Sequence, residues 1–255
     1  MRNVRLISKL DIKAPNLVKT IQIEGLRKIG NPNEYAIKYY NQGIDEIIYN
    51  DVVASLYNRN NIFDIIKETT NNVFVPITVG GGLRSSKDVE MALRNGADKI
   101  FINTAAINNK SLVSEISRNF GSQCLVINIQ CKKLNDTYEA YYDSGRERSY
   151  KNCLDWALEV QDLGAGELLI TSIDNEGTGK GFDLNLINIF KNKIEIPLIF
   201  SGGMGTLDHL TNLFNEYVPD AICMSKVLHY DNLTIKHIRD FILSKNIPTR
   251  QLNNG

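Results

Sequence analysis

Between Val73 and Thr104 the chain spells a strand, a glycine turn, a polar helix, a second strand and a polar turn. Between Ile196 and Ser225 it spells them again. Pro76 matches Pro197, Gly82 matches Gly203, and Asp98–Asn103 matches Asp220–Ser225. Gly43-Ile44-Asp45-Glu46 matches Gly164-Ala165-Gly166-Glu167 at nearly the same offset, and RLISKLDIK (5–13) matches CLVINIQCK (124–132). A self-match at a fixed period is the signature of a duplicated unit. The chain therefore reads as one domain over 1–255, built from two similar halves at about 1–122 and 123–255.

Short β-branched runs bounded by glycine are buried parallel strands. They fall near 4–10, 46–51, 74–79, 98–103, 124–130, 167–172, 197–201 and 220–224. Helical patterns lie between and after them, near 32–42, 59–70, 86–95, 110–119, 152–163, 184–192, 206–216 and 232–245. Eight alternating units in 255 residues predict an α/β fold, a (β/α)8 barrel. The alternative, a doubly wound open sheet, fits the two-half symmetry less well. Two stretches exceed ordinary loop length, 12–31 and 131–149, and both leave strand ends on the face where barrel enzymes keep their sites. In the second, Thr137–Tyr142 followed by Asp143-Ser144-Gly145 predicts a hairpin, with Tyr141, Tyr142, Arg146 and Arg148 on its surface. The tail from Gln251 is expected to fray.

Composition narrows the function. With 29 basic and 29 acidic residues the formal charge is zero, which argues against nucleic acid or an anionic membrane as partner. No apolar run approaches a membrane span, and the first ten residues lack the apolar core of a secretion signal. Cys124, Cys131, Cys153 and Cys223 form no CxxC pair, so the expectation is buried free thiols in a cytoplasmic protein, with no metal and no cofactor. His209, His229 and His237 show no ligand spacing.

Alternation along the first strand puts Arg5, Ile7, Lys9 and Asp11 on one face, taken as inward, with Asp11 at the active-site end. A carboxyl there can do proton chemistry, or can simply cap a helix or close a salt bridge. Its counterpart in the second half is Gln130, which hydrogen-bonds but does not exchange protons as a carboxylate does. Lys9, Asn50 and Asn128 make the interior polar, and Lys9 beside Asp11 is expected to hold that carboxylate ionised. At the opposite end Arg5, Glu46, Lys99 and Glu167 can close a ring, either a salt-bridged plug or a gate. Free N–H groups at the glycine turns predict two phosphate sites. One comprises Gly81, Gly82, Asn103 and Thr104. The other joins Gly177 and Thr178 of the 174–179 loop to Gly202, Gly203 and Ser225, and Lys19 in the first long loop is within reach of a phosphate.

Taken together these residues resemble the cyclase subunit of imidazole glycerol phosphate synthase, over essentially the whole chain. The resemblance rests on Leu10-Asp11-Ile12-Lys13, Leu17-Val18-Lys19, Thr78-Val79-Gly80-Gly81-Gly82, Gly96-Ala97-Asp98-Lys99, Ile102-Asn103-Thr104-Ala105-Ala106, Thr171-Ser172-Ile173-Asp174 and Ser201-Gly202-Gly203. It implies a barrel that docks a glutaminase at its floor and passes ammonia to a substrate with two phosphates at its top. In that family the products are imidazole glycerol phosphate and an aminoimidazole ribonucleotide. The family's acid matches Asp11, its gate matches Arg5, Glu46, Lys99 and Glu167, and its partner-facing acid matches Asp98. Two positions depart: Gln130 stands where the family has its second catalytic aspartate, and Lys9 where it has a small or apolar residue. That combination resembles a divergent branch of surface-sugar pathways. The leading expectation is therefore an ammonia-handling subunit for sugar amidation, with a sugar amidotransferase as further partner. The alternatives are a working cyclase-lyase of histidine biosynthesis and a non-catalytic scaffold that activates the glutaminase.

Overall fold

The computed structural model describes residues 3–54 and 62–251. Its strands are β1 (Arg5–Lys13), β2 (Asn16–Ile21), β3 (Glu24–Gly30), β4 (Glu46–Asp51), β5 (Ile77–Gly80), β6 (Lys99–Ile102), β7 (Leu125–Leu134), β8 (Thr137–Tyr142), β9 (Glu147–Asn152), β10 (Glu167–Ser172), β11 (Leu198–Ser201) and β12 (Ala221–Met224). Eight of them, β1, β4, β5, β6, β7, β10, β11 and β12, pair in parallel in that order. Pairing of β10 with β7, and of β12 with β1, closes the ring. The architecture is the closed (β/α)8 barrel that the alternation predicts.

Side chains on alternate strand positions divide the protein into two cores. The outer one lies between barrel and helices and includes Leu6, Leu10, Tyr49 and Trp156. The inner one is a thin apolar layer of Ile7, Ile48, Phe101, Val126, Leu169 and Ile199, with Ala221 and Cys223 from β12. Several helices start where the sequence supplies a side-chain N-cap. Ser85 and Asp88 form a capping box for Ser86–Arg94, and Asn31 accepts from Asn33 N–H ahead of Pro32–Asn41.

A repeated carboxylate fixes the strand starts. Asp45 Oδ2 accepts the N–H of Leu6 at 2.8 Å, Asp98 Oδ2 that of Ile77 at 2.8 Å, and Asp220 Oδ2 that of Leu198 at 3.0 Å. In each case the aspartate satisfies a neighbouring strand's first inner donor, which the parallel ladder leaves over. Gly166 holds the corresponding position before β10, and a Cβ there would lie 2.0 Å from the Ser122 carbonyl oxygen. The repeat breaks where the chain is too close for a side chain.

The glycine turns duplicate in backbone as well as in sequence. Gly81 and Gly82 have φ of 90° and 78°, and Gly202 and Gly203 have 104° and 100°. Asn103 and Ser225 share nearly the same backbone, φ −132° and ψ −76° against φ −135° and ψ −78°. Each opens a short helix, Thr104–Asn108 or Lys226–His229, where the sequence had predicted only a polar turn.

Other expectations need correction. The stretch 12–31 is not a loop: β1 runs on to Lys13, turns, and pairs antiparallel with β2, which pairs with β3. β3 is solvent-exposed along most of its length and carries two glycines, so only backbone pairing marks it as a strand. The hairpin β8–β9 lies where expected, but Tyr141 is buried within it rather than on its surface. The strand expected at 74–79 begins only at Ile77, because Phe74 turns out to solvent against Tyr40. The helix expected at 59–70 is present as Phe63–Thr69, and its first residues, 59–61, lie outside the described residues, as do 252–255 of the tail. Among the described residues no helix is long and apolar enough to cross a membrane.

Asp45 carries a further load. Its Oδ1 receives Arg239 Nη2 at 2.9 Å, and Arg239 also donates to Thr249 Oγ1, Gly43 O and Arg250 O. The Arg239 side chain is 3% exposed. Removing its carboxylate strands a buried guanidinium, which costs about 3–5 kcal/mol. Asp45→Ala is expected to lower the urea-unfolding free energy by about that amount; a loss under about 1 kcal/mol, the value of a surface pair, would show that the bond is dispensable.

Candidate functional site

The barrel interior is layered along its axis. At the floor, Arg5 Nη1 bonds Glu46 Oε1 at 2.5 Å and Glu167 Oε1 at 3.1 Å, while Lys99 Nζ lies 3.2 Å from Glu46 Oε2 and from Glu167 Oε1. Two cations and two carboxylates thus close the ring expected at the strand starts. Burial works to lower the affinity of Arg5 for its proton, but Glu46 and Glu167 outweigh it and raise the pKa. Glu167 Oε2 is buried and has no hydrogen-bond partner among the described residues. Asp98 lies nearby at the start of β6, exposed, with one oxygen on the Ile77 N–H.

Above the floor comes the apolar layer, and above that a polar mouth. Asp11 is 3% exposed; its Oδ1 accepts from Asn50 Nδ2 at 2.8 Å, and Lys19 Nζ lies 3.8 Å from its Oδ2. Lys19 itself sits on β2, buried, with its ammonium 2.6 Å from Glu176 Oε1. The other Glu176 oxygen takes Lys9 at 3.5 Å. The direct partner of Lys9 is therefore Glu176, and Lys19 is the cation beside Asp11, which corrects the expected Lys9–Asp11 pairing. Sequence reasoning passed over Glu176 because its loop was read for glycine N–H groups. The available signal was an inward lysine with no second carboxylate assigned to it.

These contacts set the charge states. Burial pushes the Glu176 carboxyl up, but Lys19 and Lys9 overcome it and bring it down to about 2. Lys9 is held above the usual lysine value: burial lowers it, and Glu176 and then Asp11 raise it by more. Burial raises the Cys223 thiol beneath them to about 12. His229 is pushed down to about 3, first by burial and then by Lys19, and its Nδ1 lies 2.6 Å from Tyr39 Oη.

Gln130 reaches the mouth from β7. Its Oε1 accepts from Asn103 Nδ2 at 3.1 Å, and the same Nδ2 donates to the Tyr141 carbonyl. A cavity of about 360 Å³ opens here and brings together Gly81, Gly82, Asn103, Thr104 and Gln130, with Asn50 and Asn128 below. Asn103 Oδ1 is buried without a hydrogen-bond partner among the described residues. The tip of the β8–β9 hairpin roofs this cavity: Asp143 N–H donates to Thr104 Oγ1 and Ser144 Oγ to the Val52 carbonyl, both at 3.0 Å. The expected second phosphate turn also assembles. Gly177, Gly202, Gly203 and Ser225 line one pocket with Ser201 and Lys226, but it holds only about 10 Å³ of free space. Thr178 stands just outside, its hydroxyl on the Asn175 carbonyl and its carbonyl accepting Lys226 Nζ at 3.0 Å. The β2–β3 hairpin covers this side, with Gln22 N–H on the Glu176 carbonyl at 2.7 Å.

Charged floor, apolar waist, acid-bearing mouth and duplicated glycine turns stand on one axis of a parallel (β/α)8 barrel, with the cavity at the strand C-termini, the end where barrel enzymes keep their sites. The comparisons agree. A family model described as "Histidine biosynthesis protein" matches residues 5–234, and the chain belongs to that family. It is 57% identical over 209 residues to "Imidazole glycerol phosphate synthase subunit HisF" of Legionella pneumophila, covering 82% of this chain and 99% of that protein. It is 41% identical over 250 residues to the subunit of the same name from Prochlorococcus marinus (strain MIT 9312), covering 97% and 98%. It is 39% identical over 246 residues to that of Thermococcus onnurineus (strain NA1), covering 96% and 97%.

These relatives overturn the leading expectation of a sugar-amidation subunit and favour the histidine-pathway alternative. That expectation hung on Gln130 and Lys9. In the structure Gln130 accepts from Asn103 and Lys9 pairs with Glu176.

The buried ionisable groups make stability depend on pH. The native His229 value lies below that of an unfolded histidine, about 6.5, so the unfolded chain binds a proton first as pH falls. Stability held above about pH 6.5 is lost progressively toward pH 3; Glu176 adds a second loss between its ordinary value of 4.5 and about 2. Urea unfolding is expected to show a decline approaching about 1.4 kcal/mol per pH unit from the first group. His229→Asn should flatten the curve between pH 6.5 and 5, and an unchanged slope in that variant would exclude His229 as the source.

Proposed function

We propose that this chain is the barrel subunit of an imidazole glycerol phosphate synthase, taking ammonia from a glutaminase at its floor and using it at its mouth. What carries the reading is the layering on one axis: an ionic ring at the floor, an apolar layer, and a mouth holding Asp11. An uncharged amine crosses an apolar layer far more easily than its cation, because burying an unpaired charge is costly. The ring of Arg5, Glu46, Lys99 and Glu167 is the entrance gate in this reading, and the exposed Asp98 is part of the glutaminase-docking face.

The substrate is a small molecule with a phosphate at each end. Gly81, Gly82, Asn103 and Thr104 hold one phosphate. Gly177, Thr178, Gly202, Gly203 and Ser225 hold the other after the second pocket widens, with Lys19 adding positive charge. Asp11, steadied by Asn50, exchanges protons with the reacting carbon–nitrogen framework during ring closure and cleavage. Gln130 orients the substrate by hydrogen bonding and leaves the proton traffic to Asp11. The products are imidazole glycerol phosphate and an aminoimidazole ribonucleotide.

Purified chain given the family's bisphosphorylated substrate and ammonium salt is expected to turn over at about 1 s⁻¹ or faster, the lower end of the usual enzyme range. Asp11→Asn should cost about 10²–10⁴-fold in kcat. Asp98→Lys should weaken co-purification with the cognate glutaminase, whereas Asp98→Asn, which keeps an oxygen for the Ile77 N–H, should weaken it less. No turnover with either ammonium salt or glutaminase plus glutamine would sink the reading.

A further inference from the structure

Lys9 has no place in the chemistry above, yet it is one of the most constrained cations in the molecule. It lies two residues above Ile7 on the inner face of β1, so its side chain starts at the upper surface of the apolar layer. Its carbonyl oxygen accepts from Ser225 Oγ at 3.1 Å, which anchors the backbone, and it is 7% exposed. The groups that face it are Glu176, Asp11 and Lys19 in the mouth, Cys223 on β12 below, and His229 behind. Of these, Asp11 and Glu176 are the carboxylates and Lys19 is the other ammonium. With Lys9 the cluster sums to zero. Without it, one negative charge remains among these buried groups.

A buried charge without a counter-charge is not tolerated; it takes up a proton or an ion. Under the proposed function the ion most available at this point is ammonium, in equilibrium with the ammonia that leaves the apolar layer. An ammonium captured by Glu176 would be a nitrogen without a lone pair, held beside the site that needs a nucleophile. Lys9 carries the same –NH3⁺ group on a tether, in contact with the same oxygen. We propose that the Lys9 ammonium permanently occupies a monovalent-cation position at the top of the apolar layer, so that ammonium ion is barred from the mouth and uncharged ammonia is the nitrogen species that enters.

The inference rests on the proposed function for its meaning, but its physical core is tested without turnover. Lys9→Ala removes both charge and volume and should open the position. Crystals of Lys9→Ala soaked in rubidium chloride are expected to show an anomalous peak against Glu176 Oε2 that wild-type crystals lack. In solution, the melting temperature of Lys9→Ala should be higher by at least about 4 °C in ammonium or rubidium chloride than in tetramethylammonium chloride of equal ionic strength, with no difference in wild type. Lys9→Met, which fills the space without charge, should show no such preference. A Lys9→Ala protein with no rubidium peak and equal melting in all three salts overturns the proposal, because Glu176 has then taken a proton instead. So does a variant that fails to fold in every salt. If wild type also fails to use the family's substrate, the functional reading falls while the rubidium result still decides this one. Where wild type is active, rubidium chloride should inhibit ammonium-driven turnover of Lys9→Ala several-fold and leave wild type unaffected.

Discussion

The Glu176 carboxylate is what permits the rest of the mouth to exist. Lys9 and Lys19 are both almost fully buried, and two ammonium groups cannot share a barrel interior unless carboxylates accompany them. Glu176 offers one oxygen to each, at 3.5 and 2.6 Å. Because Lys19 is drawn to Glu176, it approaches Asp11 only to 3.8 Å, and Asp11 keeps an amide, Asn50, as its close partner. The observed arrangement leaves a carboxyl oriented by Asn50, with Lys19 at a longer distance.

The floor uses the same currency of charges in a different geometry. There all four groups contact their neighbours around a closed ring, with Arg5, Lys99 and Glu167 partly exposed and Glu46 buried. The waist between floor and mouth is one layer thick. The two charged assemblies are thus kept apart by a single shell of aliphatic and aromatic side chains, and burial on one side does not depend on solvent access on the other.

Much of this was legible in the residues. Period-two alternation placed Arg5, Lys9 and Asp11 on one inner face, and the internal repeat gave the barrel and both glycine turns, because a strand's hydrophobic pattern and a positive φ leave direct traces in residue type. The β2–β3 hairpin left no such trace. Glu24–Gly30 is polar, glycine-bearing and exposed, and it is held by backbone hydrogen bonds that any sequence can make. The partner of Lys9 was hidden for another reason. Glu176 is 167 residues away in a loop, and a contact of that range is set by how loops fold over the barrel, which periodicity does not encode. Pathway was the least legible property: Gln130 and Lys9 point away from histidine biosynthesis, while similarity along the whole chain points toward it.

The two hairpins also meet each other. A Cβ on Gly145, at the tip of β8–β9, would lie 3.1 Å from Ile23 at the tip of β2–β3. One hairpin is tied by Ser144 to the loop after β4, and the other by Gln22 to the loop after β10. The roof is therefore an arch with a keystone contact rather than two separate awnings. Bulk added at residue 145 is therefore felt by Ile23 on the far hairpin as well as by Ile173 beneath, so the tip of one hairpin sets how large a side chain the other can face.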